Sequence, residues 1–270
     1  MTGIIEIIGG GTAAQIAAKV LGPTAEMYGE DLKELVLRRR ANLSRIFSTL
    51  EHKYGVDELN QLGEGAVAPR VLRGVLDEGS FVEDDVGAEY FAGVLASSRT
   101  ADGKDDAGVA LIEVMNGLSS AQLRLHYLIY AAGQTTVAGR DEWSPYGEQR
   151  EWERVAVPLM PLLATLQEMG VDLSSDALGA AMRNLKRAEL VGNWRSGPPE
   201  ALLVEANVQW PSHALVGDMT NFGIELFCAA HGFRNIEDFK RPSTEFRSRF
   251  DDRIERVEPI IFSELPPVGA

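Results

Sequence analysis

Arg183-Asn-Leu-Lys-Arg-Ala-Glu-Leu-Val191 and Met219-Thr-Asn-Phe-Gly-Ile-Glu-Leu-Phe227 are the two stretches whose reading decides the fold. The first closes a helical pattern. Behind a Ser174 or Ser175 cap, Leu178, Ala181, Met182 and Leu185 recur at three- and four-residue steps. The second opens a helix, with Thr220 as its cap and apolar residues as far as Ala230. Between them, Gly197-Pro-Pro199 marks a turn, and Leu202 to Trp210 reads as a strand. Helix, β-ribbon and helix, in that order, describe a winged-helix-like unit.

Outward from this unit the chain is helical. Ser119-Ser-Ala-Gln122 is a capping box, followed by Leu123, Leu125, Leu128 and Ile129. Residues 133–148 contain Gly133, Gly139, Pro145 and Gly147 and read as a loop. An apolar helix then runs through Met169, with Pro158 and Pro161 near its front. Pro69 opens a short helix, Glu83-Asp-Asp85 precedes the Tyr90 to Leu95 helix, and Asp105 or Asp106 starts another. Leu35, Val36, Leu43, Ile46, Phe47 and Leu50 keep the helical period between Thr24 and Tyr54. The expected fold is mainly α: a helical N-terminal half plus a winged-helix-like C-terminal unit with a small β-ribbon. The expected divisions are a helical domain over 1–115, the winged-helix-like domain over 116–232, and an exposed helix with a loose tail over 233–270.

The formal net charge of -14 disfavours generic binding to polyanions, although a local basic patch can override an average. With Cys228 as the one cysteine, neither an intramolecular disulfide nor a Cys-rich zinc site can form, which fits a reducing, cytoplasmic setting. The N-terminal apolar run lacks a basic flank and is interrupted by Glu6, so it is a poor secretory signal. No run of about 20 uncharged apolar residues suggests a membrane span.

Several patterns imitate chemical sites. Gly9-Gly-Gly-Thr-Ala-Ala14 satisfies a dinucleotide fingerprint, but a long helical pattern stands where the second strand is needed. Asp102 to Asp106 with Glu113 imitates a calcium loop, yet Lys104 occupies a ligand position and Ala107 the turn glycine. Cys228 and His231 share a helix face but supply only two metal ligands. Neither a metal nor a cofactor is therefore expected. Two basic clusters remain, one of Arg38, Arg39, Arg40 and Arg45, the other of Arg183, Lys186, Arg187 and Arg195. The second is the candidate nucleic-acid surface, with a solvated helix face as the plainer reading. Ile4, Ile5, Ile7 and Ile8 could contact a membrane or another protomer. They lack a basic face, which favours packing or a homo-oligomer.

Several segments together resemble one family. They are Val20-Leu-Gly-Pro-Thr-Ala-Glu-Met-Tyr-Gly-Glu-Asp-Leu32, Val67-Ala-Pro-Arg-Val-Leu72, Glu83-Asp-Asp85, Tyr90-Phe-Ala-Gly-Val-Leu-Ala-Ser97, Leu111 to Leu125, and the two phrases quoted first. In this shared order they resemble the Abi-alpha, or abortive-infection alpha, group of bacterial proteins. The resemblance implies antiviral defence in which an infected cell stops growing or dies. It brings no catalytic residues, so the expected action is non-enzymatic, through a host or phage protein partner or through multimerisation. The alternatives are a nucleic-acid-binding regulator and a membrane-acting effector using residues 3–22. Two features depart from the family pattern: Glu189 stands where glycine is common, and residues 133–160 are longer than usual.

Overall fold

A computed structural model describes residues 34–53, 66–141, 143–146, 154–203, 208–246, 257–261 and 264–267. The isoleucines at 4, 5, 7 and 8, the fingerprint at 9–14 and the helical pattern before residue 34 lie outside these residues.

The first half stacks short helices. α1 covers residues 34–53, α2 Pro69–Glu78, α3 Asp85–Ser97 and α4 Gly108–Asn116. β1, Ala66–Val67, pairs antiparallel with β2, Arg99–Thr100. The long helix α5, Ser120–Val137, leads to β3, Arg154–Pro158, then α6, Leu159–Glu168, and α7, Ser175–Arg187. β4, Val191–Gly197, is followed by the one-turn helix α8, Pro199–Leu202, then β5, Ala214–Met219, and α9, Asn221–Ala230. The second sheet is antiparallel, with strand order β3-β5-β4.

Local chemistry sets the helix starts. The side chains of Asp84, Ser119, Ser174 and Thr220 each accept a backbone N–H in the first turn of the helix that follows. Ser119 and Gln122 complete a reciprocal capping box. Core formation then centres on α3, α5 and α9. From Val86 to Leu95 every residue of α3 is buried. One hydrophobic cluster runs from Ile46 in α1 to Val257 and crosses residue 115 without a break.

The ribbon differs from its expected form. β4 lies at 191–197; of the segment read as a strand, Leu202 lies in a helical turn and Val208 forms an isolated bridge with Pro267, while residues 204–207 lie outside the described residues. Leu202 ends α8 and is fully buried; with Trp210 it packs on Ala156, Ala214 and Val216, on the other face of the sheet. Leu202, Val208 and Trp210 are apolar because they cover that face of the sheet. A third strand, β3, occupies the front of the segment read as helix. Val155 and Val157 join the main cluster while Ala156 faces the second, the period-two pattern of a strand.

α5 also runs through Gly133 to Val137, within the stretch expected to be loop. A Cβ on Gly133 would lie 2.3 Å from the Met219 sulfur. The glycine makes room for β5 and does not end the helix. The C-terminal region is better anchored than expected. Phe239 and Phe246 are buried in 3-10 turns, and the Ile260 N–H donates to the Ala156 carbonyl at 2.8 Å.

At Glu189 the chain leaves α7 with φ 59°, a left-handed conformation. The Glu189 N–H donates to Lys186 O, and Thr220 Oγ1 donates to Glu189 O at 2.6 Å. A side chain in this region costs about 1–2 kcal/mol, part of which the looser unfolded chain of a glycine variant returns. Glu189→Gly should therefore stabilise the protein by about 1 kcal/mol and raise Tm by roughly 2–3 °C. Thermal unfolding checks this; an unchanged or lower Tm contradicts it.

Candidate functional site

The two phrases quoted first meet in the core. Tyr130 of α5 donates its hydroxyl to Leu190 O at 2.5 Å and accepts the Thr220 N–H at 3.0 Å. Gly223 makes the approach possible, since a Cβ there would lie 2.0 Å from the Tyr130 hydroxyl oxygen. The His126 ring stacks on Tyr130 at 4.4 Å. The Tyr90 hydroxyl and His126 Nδ1 share a hydrogen bond of 2.7 Å. Nε2 lies near the Gly223 backbone without reaching hydrogen-bond geometry.

Burial keeps this cluster neutral. It lowers the His126 pKa to about 3 and raises both tyrosines above their ordinary range. The sign for stability follows. The unfolded chain takes up the His126 proton near pH 6.5, while the folded chain resists it down to about pH 3. Stability from this group is complete above the unfolded pKa and falls by about 1.4 kcal/mol per pH unit as pH drops through that window. Denaturant unfolding from about pH 6 to about pH 4.5 should show a pH slope smaller by nearly one proton in His126→Asn. Equal slopes would place His126 outside the core.

Cys228 and His231, the pair weighed above as metal ligands, belong to the core. His231 donates from Nδ1 to Phe227 O at 2.8 Å and packs on the Phe227 and Phe246 rings. Burial pushes the Cys228 thiol far up, away from thiolate chemistry. His52 and His213 are exposed. Among the described residues, no group of three His, Cys, Asp or Glu side chains could hold a metal ion. The acids from Asp102 to Asp106 turn inward on the chain. Asp102 accepts the Lys104 N–H, Asp105 accepts the Ala107 N–H and pairs with Arg234, and Asp106 pairs with Arg70. The Ala107 N–H, and after it Arg234, hold the Asp105 carboxyl below its usual pKa. No described helix is long and apolar enough to cross a membrane.

The two basic clusters have different fates. On α1, Arg38 pairs with Glu34, and Arg45 lies 3.5 Å from Asp85. Arg39 donates to Ser80 Oγ and lies 4.6 Å over the Phe81 ring. Three of these four arginines hold the protein's own surface together. On α7, Arg183, Lys186 and Arg187 are all exposed, and Arg195 is exposed on β4. Lys186 Nζ donates to the neutral Asn193 side chain at 2.9 Å. Arg183 and Arg187 form no ion pair with any described residue. The structure therefore brings Arg183, Lys186 and Arg187 together on α7, beside Asn193 and Trp194, but not Arg195, which pairs in register with Val216 on the opposite face of the sheet. Trp194 is partly exposed, and its ring edge comes within 3.9 Å of the space above Gly179, close to the Arg183 guanidinium. Reading the strand at 202–210 passes over both residues.

No family model, curated protein or solved structure matches the chain.

Proposed function

We propose that this chain is a non-enzymatic antiphage protein of the abortive-infection type, acting in the bacterial cytoplasm by binding a host or phage protein. The observation that supports partner binding is the outer side of α1. There Val36, Leu37 and Phe47 are 48%, 55% and 42% exposed, on a helix anchored by Ile46, Thr49 and Lys53; Leu35, 41% exposed, lies instead on the helical row of Asn42, Ile46 and Lys53. Large apolar side chains clustered in water mark interaction surfaces. The exposed Arg40 has no ion pair with a described residue, so the complementary surface is apolar with a carboxylate. Support for the defence role comes from the ordered likeness of residues 20–231 to the Abi-alpha group. The proposed fold of the C-terminal unit is a winged helix, supported by the succession α5, β3, α6, α7, β4, α8, β5 and the strand order β3-β5-β4.

The test is plaque formation in a sensitive bacterium expressing the full chain, with and without neighbouring genes, across a broad phage panel. Reduced plaquing that disappears with Leu37→Glu and Phe47→Glu, in a variant that still folds, supports the reading. Unchanged plaquing with every phage refutes it.

A further inference from the structure

We propose that α1 is a detachable arm, a helix that leaves the body of the protein and returns as one unit while α3, α5 and α9 stay folded. Release of α1 is independent of any antiphage role.

Burial is the first support. Residues 34–53 bury three of their twenty, Asn42, Ile46 and Thr49, and two of those are polar. α3 buries eleven of its thirteen. A helix in a folded protein draws most of its stability from the apolar face it packs, so α1 is held far less firmly than α3. Leu35 lies on the row of Asn42, Ile46 and Lys53 and is still 41% exposed, so the body does not reach under the start of α1. Elements with few buried apolar contacts open below the free energy of global unfolding.

The chemistry beneath α1 is the second support. Asn42 donates to Ser80 O at 2.9 Å, and Arg39 to Ser80 Oγ at 2.8 Å. Arg45 donates to Val82 O at 3.4 Å and pairs with Asp85. Lys53 holds both Glu89 and Ala230 O. Water replaces each of these hydrogen bonds on release, and both ions of the buried pair regain their hydration, so the net cost is small beside that of opening α3. Ile46 is the one fully buried apolar residue of α1; a Cβ on Gly79 would lie 2.7 Å from its Cδ1. Release changes what the protein presents. Ile46 joins Val36, Leu37 and Phe47 in water, and the Phe91 ring, the Glu89 carboxylate and the Ala230 carbonyl are uncovered.

The experiment is amide hydrogen exchange of the full chain, read by mass spectrometry at increasing urea below the unfolding transition. An isolated helix of this length is marginal in water, so a released α1 gives up its amide protons. Peptides from residues 39–53 should be less protected than those from α3 and α9 by about a hundredfold or more, with little dependence on urea. Exchange in α3 and α9 should follow global unfolding. Leu185→Ala supplies the second arm; this residue is fully buried in α7, which packs on α5 and β4. The variant should lower protection in α3 and α9 by roughly thirtyfold or more and leave that of α1 unchanged. If α1 exchanges with the urea dependence of α3, or loses protection in step with α3 in Leu185→Ala, the proposal is overturned, because α1 then opens only with the core. Complete exchange of α1 at the earliest time also overturns it, because the arm then does not dock.

Discussion

Gly93→Ala is expected to lower stability by about 3 kcal/mol or more, enough to leave much of the chain unfolded at moderate temperature. Gly93 lies in α3 where that helix crosses the end of α9. A Cβ at this position would lie 1.9 Å from the Ala230 carbonyl oxygen and 2.6 Å from that of Ala229. Both obstacles are backbone atoms, so no rotamer change relieves the clash. The helices must part, which disturbs the Phe227 packing and the Lys53 contact with Ala230. Alanine's better helix propensity returns about 1 kcal/mol, too little to offset this. Gly117→Ala is the matched control. Its nearest obstacle is 3.4 Å away and its φ is -76°, so it should change little. Urea midpoints for the two variants settle the matter; equal midpoints would mean that α3 and α9 do not pack this closely.

The second large effect concerns how α1 is attached. Lys53 and Glu89 form an ion pair at 2.6 Å with side chains only 5% and 6% exposed. Lys53 also donates to Ala230 O at 2.9 Å, at the carbonyl end of α9, where a cation is favoured. Lys53→Met removes the ammonium beside the buried Glu89 carboxylate and should cost about 3–5 kcal/mol. Glu89→Leu should cost a similar amount by stranding the ammonium. The double variant should be more stable than either single one, because an apolar pair needs no desolvation of charge. Unfolding free energies of the four proteins form the cycle. Additive losses would show that the two groups do not interact.

The legible parts of this fold are those with local causes. Ser119 with Gln122, Ser174 and Thr220 announce helix starts because each side chain satisfies an N–H within three residues. The basic residues of the α7 face are legible for the same reason, since a helix presents positions 183 and 187 together whatever surrounds it. What stayed hidden depends on contacts between distant residues. Arg154 to Pro158 is too short to declare a period, and it becomes a strand only through its pairing with β5. Gly133 looks like a helix breaker until Met219 is placed against it. Trp194 meets α7 only because a bulge between Val191 and Trp194 shifts the register, so that Trp194 and not Asn193 stands opposite Gly217. Glu189 shows the reverse case: an awkward residue marks a left-handed turn where glycine was to be expected.

Cys228 has a practical consequence. It is the one thiol in the chain, it is 1% exposed on α9, and its burial suppresses the thiolate. A thiol-specific reagent can therefore attack only when α9 lifts from α3 and α5. The labelling rate becomes a clock for the opening of the core, readable by mass without adding a probe. Oxidants that scan the surface find no sulfhydryl to modify. The protein's thiol would report mechanical failure of its centre and stay silent about the redox state around it.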